Sequence, residues 1–180
     1  MTKNFIELKD LPVYDLFSEY IKIFGTDNYS QICLNSIKED PDNYLLGKGS
    51  LYWDSDKSDI STQKISRPKR KLEEDEFTEL CSIFKETKFE EVYNELKLRY
   101  NLGRVRIMPS LPKTCLTWHY DVNPRIHFVM KTQPGCFMVF EDEVRHLPNA
   151  TWWRTNTLNY HTAFNGSFDS RIHLVATILN

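Results

Sequence analysis

The chain has 180 residues, 23 Lys and Arg against 25 Asp and Glu, 41% hydrophobic residues and 13% aromatic ones. That length suits one domain, residues 1–180, with a sizeable core, and that much apolar content excludes a disordered chain. A net charge of −2 lacks the basic excess of a nucleic-acid binder, and no apolar run reaches the ~20 residues of a membrane span.

The opening MTKNFIELKD has no apolar leader core, and Cys33, Cys81, Cys115 and Cys136 form no CxxC pair, so the expectation is a cytoplasmic protein with reduced thiols. In chain order, Val13, Leu16, Phe17, Tyr20, Ile21 and Phe24 recur at helical spacing before Gly25 and predict a helix over 13–24. Short strands are predicted over 31–37 and 49–54, and the polar stretch 54–71 reads as a loop. Its basic residues Lys64, Arg67, Lys69, Arg70 and Lys71 read as a solvated run. Two helices are predicted next, over 72–84 with Glu73, Glu74, Asp75 and Glu76 in the first turn, and over 88–100 with Lys97 and Arg99 at its end.

After Gly103 the period changes. Runs at 104–108, 115–119, 125–130, 136–140, 151–155, 158–164 and 171–179 are rich in β-branched and aromatic residues. Pro109–Pro112, Asn123-Pro124, Pro134-Gly135, Pro148-Asn149 and Asn165-Gly166 separate them as turns. Seven or eight strands at this spacing predict a mainly β fold with flanking helices, a jelly roll over 101–180 covered by a helical and mixed part over 1–100. PRIHFV (124–129) and SRIHLV (170–175) are alike, which predicts similar surroundings with Arg, His and Val alternating onto one face.

His119 and Asp121 stand two apart, so in a strand an imidazole and a carboxylate share a face. A third ligand, a His on a neighbouring strand, would complete a 2-His-1-carboxylate metal triad with open positions. By itself His-x-Asp equally suits a surface His beside an acid. His161, followed ten residues later by Arg171, adds to it: if their strands pair as a hairpin, the guanidinium enters the same barrel mouth as the imidazole and offers a fork for a carboxylate. A chelating dicarboxylate needs that combination.

HYD (119–121), His161 and Arg171 resemble the Fe(II)- and 2-oxoglutarate-dependent dioxygenases, a double-stranded β-helix (cupin-like jelly roll) superfamily. RVRIMPSLPKTCLTWHYD, RIHFVM, NYHTAFNGS and RIHLVATI, over residues 100–180, are similar to its aspartyl/asparaginyl β-hydroxylase branch, including short stand-alone members from phage and marine bacteria. The resemblance implies Fe(II) held by His119, Asp121 and His161. It implies 2-oxoglutarate with its distal carboxylate on Arg171 and its metal-proximal one near Arg125 and His127. It also implies O2 as cosubstrate, succinate and CO2 as products, and hydroxylation of a free or peptidyl amino-acid residue of Asp, Asn or Pro type. Some peptide hydroxylases of this branch lack the acidic ligand; this chain has Asp121.

The other histidines suit the distal position less well: His173 is too near the end to be followed by an Arg strand, Asn156 lies ten residues beyond His146, and His127 adjoins the first pair. Arg125 and His127 also read as a satisfied polar cluster, and His173 as a donor beside the site or as core. Ser110 and Tyr160 are candidate cosubstrate contacts; Trp118, Trp152 and Trp153 read as packing or as a substrate entrance. Cys115 and His119 lack a second pair for structural zinc. Two alternatives of other classes also suit these residues, a cupin-like metalloenzyme without 2-oxoglutarate and a non-catalytic jelly-roll binding module.

Overall fold

The structure is a computed structural model that describes residues 3–26, 31–46, 51–53 and 70–179. Its elements are β1 (Phe5–Glu7), α1 (Leu16–Phe24), β2 (Ile32–Cys33), β3 (Asn35–Ser36), β4 (Tyr52–Trp53), β5 (Arg70–Lys71), β6 (Glu79–Leu80) and α2 (Lys88–Arg99). The second half supplies β7 (Leu102–Ser110), β8 (Thr114–Cys115), β9 (Arg125–Lys131), β10 (Cys136–Phe140), β11 (Val144–Arg145), β12 (Trp152–Thr155), β13 (His161–Asn165) and β14 (Arg171–Ile178).

Apart from the β10–β11 hairpin, strands β7 to β14 alternate between two antiparallel sheets. One runs β1-β12-β9-β14-β7-β2 and the other β11-β10-β13-β8. The chain therefore crosses repeatedly between layers, which is the winding of a double-stranded β-helix, or jelly roll. The alternation of residue type follows from it. On β9 and β14, Ile126, Phe128, Met130, Ile172, Leu174 and Ala176 face outward into a core shared with Leu16, Tyr20, Phe84, Phe89, Val92 and Leu96. Arg125, His127, Arg171, His173 and Val175, on the opposite face, line the cavity between the sheets. A smaller inner cluster of Phe5, Val129, Met138, Phe140, Leu147, Trp153 and Ala163 fills the rest of the sandwich. The likeness of the two RIH runs is thus explained: β9 and β14 are neighbours, with His127 opposite Val175 and Val129 opposite His173.

The helices form for local reasons. Asp15 caps α1 by accepting the Ser18 N–H at 3.1 Å, so Val13 stays outside it and is exposed. Gly25 ends it at φ 74°, a conformation that suits a residue without Cβ. Thr87 caps α2 through the Phe89 N–H, with Glu90 and Glu91 in the first turn and Lys97 and Arg99 in the last.

The helix expected over 72–84 is absent. That segment makes two 3-10 turns, Glu74–Glu76 and Ser82–Phe84, around β6. A turn of three residues buries Leu72, Phe77, Cys81 and Phe84 much as a helix would, so the apolar pattern is ambiguous. The backbone instead goes to β3 and to the Cys81 N–H···O=C Leu34 bond, and Glu74 turns inward. The expected 31–37 strand is split into β2 and β3, and 115–119 contracts to Thr114–Cys115 plus an isolated bridge at His119. Pro109, expected in a turn, lies within β7, tolerated because β2 pairs no further than Ile107 and leaves that edge free. Strand β11 was not expected. Residues 54–69 of the expected loop, with Lys64, Arg67 and Lys69, and residues 49, 50 and 54 of the expected strand lie outside the described residues; Arg70 and Lys71 form β5 against β4. Among the described residues no helix is long and apolar enough to cross a membrane.

Candidate metal centre

His119 and His161 face each other across an isolated antiparallel bridge. The His119 N–H donates to the His161 carbonyl at 3.0 Å, the His161 N–H donates back at 2.7 Å, and the ring centroids are 4.5 Å apart. Such a doubly bonded pair puts both side chains on one face. Asp121, two residues on, is fixed by its N–H to the Thr157 carbonyl at 2.8 Å. One ligand atom from each of His119, Asp121 and His161 falls within 4.8 Å of the other two, with the Asp121 Oδ2 3.9 Å from the His161 Nε2.

The ring nitrogens are sorted by their neighbours. His119 Nδ1 lies 2.7 Å from the Thr117 carbonyl and His161 Nδ1 3.0 Å from that of Asn159. A carbonyl only accepts, so each Nδ1 carries the proton and each Nε2 keeps its lone pair for a cation. Burial pushes the His161 imidazole below its usual range, against the opposing pull of the Asn159 carbonyl, and so favours the neutral ligand form. Burial works against the Asp121 carboxylate, yet the Arg125 hydrogen bond and charge outweigh it and hold the carboxyl below its ordinary value. Two imidazole nitrogens and a carboxylate suit a divalent transition metal.

The strands of His161 and Arg171 do not pair as a hairpin. Strand β13 lies between β10 and β8, whereas β14 lies between β9 and β7 in the other sheet. The Asn165-Gly166 turn carries the chain across the sandwich, tied down by the Asn165 amide donating to the Ser110 and Asp169 carbonyls at 3.0 and 2.7 Å. Arg171 nevertheless lines the same cavity, of about 1070 Å³, reaching it from the facing sheet.

Four buried nitrogens on residues lining that cavity, Arg106 Nε, Arg171 Nε, His127 Nε2 and His173 Nε2, have no hydrogen-bond partner among the described residues. Leaving such groups unmade costs about 1–3 kcal/mol each, which marks the place of a polar ligand. Among the described residues no carboxylate lies within ion-pair distance of Arg171, whose guanidinium burial pushes down to about 10. His127 is held down to about 3 by burial and then by the Arg171 charge, and His173 well below its ordinary value by the same two causes. Their Nδ1 atoms lie 3.5 Å apart. The donor set and these orphaned groups fit a metal with a chelating dicarboxylate.

Arg125, implied as a cosubstrate contact, lines the same cavity; its Nε donates to Asp121 Oδ2 at 3.1 Å and its Nη1 to Glu74 Oε1 at 3.3 Å and to Thr177 Oγ1. Glu74, which was not singled out in the sequence, is 6% exposed and also accepts the Arg104 N–H; nothing in a run of four acids marks one of them as buried. Ser110 Oγ pairs with Thr114, and Tyr160 packs edge-on against Tyr120 with both rings exposed. Trp152 and Trp153 are core residues, while Trp118 is half exposed.

Several solved structures are similar to parts of the chain at low likeness. A cupin domain from Bordetella pertussis Tohama I is 15% identical, covers 43% of this chain and 81% of its own, and superposes with a TM-score of 0.39. A 2OG-Fe(II) oxygenase family oxidoreductase from Burkholderia pseudomallei is 15% identical over 49% of this chain and 56% of its own, at 0.42. The viral collagen prolyl hydroxylase of Paramecium bursaria Chlorella virus-1, in a 2OG complex, is 15% identical over 51% and 67%, at 0.38. No curated protein matches the chain. Residues 48–180 match the family model of the aspartyl/asparaginyl beta-hydroxylases, and with most of its length so matched the chain belongs to that family.

Proposed function

We propose that the protein is an Fe(II)- and 2-oxoglutarate-dependent hydroxylase acting on an amino-acid residue, free or in a peptide. The observation that carries the reading is the pairing of two features in one cavity: the His119, Asp121 and His161 cluster, and a buried Arg171 with no carboxylate partner among the described residues. When bound, the iron and 2-oxoglutarate together supply the oxidising power: O2 is split, CO2 leaves, succinate remains and one oxygen atom goes to substrate.

The chain's own share is positioning. The Thr117 and Asn159 carbonyls hold the two imidazoles in the tautomer that presents Nε2, and Arg125 keeps Asp121 ionised and aimed. Arg171 supplies a fixed charge for the far carboxylate of the cosubstrate, and His127 and His173, neutral in the fold and facing each other Nδ1 to Nδ1, offer the cosubstrate one Nε2–H donor between them. Apolar walls from Met108, Met138, Ala163 and Val175 keep water out around the reacting groups. Exposed Leu116, Tyr120 and Val122 at the mouth suit an approaching peptide. The 101–180 barrel does this work. Of the described residues before it, α1 and α2 pack on the outer face of its larger sheet, β1 and β2 extend that sheet, and Glu74 enters the cavity. The compartment we propose is the cytoplasm.

The test is succinate formation from 2-oxoglutarate with Fe(II) and ascorbate, comparing wild type with His161→Ala and Arg171→Ala. Turnover in wild type alone supports the proposal. Metal-dependent activity without succinate would favour a cupin-like metalloenzyme, and equal background in all three proteins a binding module.

A further inference from the structure

Asp121 does not hold its place alone. The Arg125 guanidinium that donates to it at 3.1 Å is itself shared with Glu74, at 3.3 Å through Nη1. Glu74 arrives from the 3-10 turn before β6 and spends its other oxygen on the Arg104 N–H at 3.1 Å and the Thr177 hydroxyl at 3.0 Å. Arg104 Nη2 adds an ion pair at 3.5 Å. A carboxylate so buried is tolerated because every lone pair has a donor. The chain also makes room for it. A Cβ on Gly103 would stand 2.9 Å from the Glu74 carbonyl oxygen and 3.0 Å from its Cβ, so only glycine lets the turn seat this close to β7.

The charge arithmetic gives the arrangement a purpose. Arg104, Arg106, Arg125 and Arg171 all line the cavity that holds the three ligand side chains. A guanidinium bound to Asp121 alone would compete with a metal for the carboxylate and repel the cation. Glu74 draws part of the Arg125 charge away and leaves Asp121 oriented but available. The geometry points to Glu74 as a positioning residue for the metal centre, acting on Asp121 through Arg125. This rests on the reading of His119, Asp121 and His161 as a metal site.

The test is a Mn(II) titration of the full-length protein, followed by calorimetry and by the electron paramagnetic resonance spectrum of bound Mn(II), with no turnover required. Glu74→Gln keeps the shape and removes the charge. It is expected to weaken Mn(II) binding by about tenfold, the lower end of what losing the partner of a metal ligand costs. In an Arg125→Met background the same substitution is expected to change the affinity less than about twofold, because the connecting guanidinium is gone. A purely structural Glu74 would lower thermal stability and shift Mn(II) affinity equally in both backgrounds. Equal shifts, or an unchanged affinity in Glu74→Gln, overturn the inference and leave the metal site standing. Should Glu74→Gln not fold, Glu74→Asp, which withdraws the carboxylate by one methylene, is expected to weaken binding in the wild-type background and not in Arg125→Met; the opposite result overturns the inference. A wild type that takes up no Mn(II) removes the metal site and the inference with it.

Discussion

Acid should destabilise this fold in a way that can be assigned to two residues. His127 and His173 are buried, 8% and 2% exposed, on the inner face of the larger sheet. Burial and the nearby Arg171 charge hold His127 down to about 3 and His173 well below the ordinary value of 6.5. An unfolded chain takes up both protons as the pH drops through 6.5, whereas the native state refuses them. Stability is therefore full above 6.5 and falls with acid until the folded values are reached. Such a histidine contributes ~1.36 kcal/mol per pH unit, so near pH 5 His127 alone removes about 2 kcal/mol, and His173 adds a loss of the same sign. Against a total of roughly 5–15 kcal/mol this is large. Urea denaturation near pH 7 and near pH 5 measures it, and His127→Gln is expected to recover about 2 kcal/mol of the acid loss. An acid loss under about 1 kcal/mol in wild type, or the same loss in His127→Gln, would refute the burial argument.

Arg171→Met should raise the KM for 2-oxoglutarate at least ~30-fold, since stripping one partner from a buried charge pair costs about 2–5 kcal/mol, and succinate assays across cosubstrate concentrations show it. Gly103→Ala forces a Cβ against the Glu74 backbone and should cost about 1–3 kcal/mol, read as a lowered Tm. Phe128→Ala empties a wholly buried site between sheet and helices and should cost about 3–5 kcal/mol, whereas Phe168→Ala, 91% exposed, should stay within about 0.5 kcal/mol by the same melts.

What could be read from sequence was whatever period two encodes. The alternation in RIHFVM and RIHLVATI separates a helix-facing set from a cavity-facing set, and the structure keeps that separation residue by residue. His119 and Asp121 at i and i+2 likewise come together, although only His119 sits in a β-bridge and Asp121 is placed by its N–H bond to the Thr157 carbonyl. The hairpin expected for His161 and Arg171 failed because Asn165-Gly166 signals a turn without saying whether the chain returns to its own sheet or crosses to the facing one. Arg171 lines the cavity either way, so the gathering of these side chains in one cavity was legible while the topology behind it was not. The 72–84 helix failed for a related reason, a spacing of three shared by two kinds of turn. Glu74 carries no local mark at all; its role comes from Arg104, Arg125 and Thr177, between 30 and 103 residues away.

In the proposed function His119, Asp121 and His161 share a single metal ion. Crystals grown anaerobically with Fe(II) and 2-oxoglutarate, measured on either side of the iron absorption edge, test it most directly. One anomalous peak at bonding distance from both Nε2 atoms and an Asp121 oxygen, with the cosubstrate's far carboxylate on Arg171, is the expected result. A peak elsewhere in the molecule, or none at this cluster in crystals that contain iron, would contradict it.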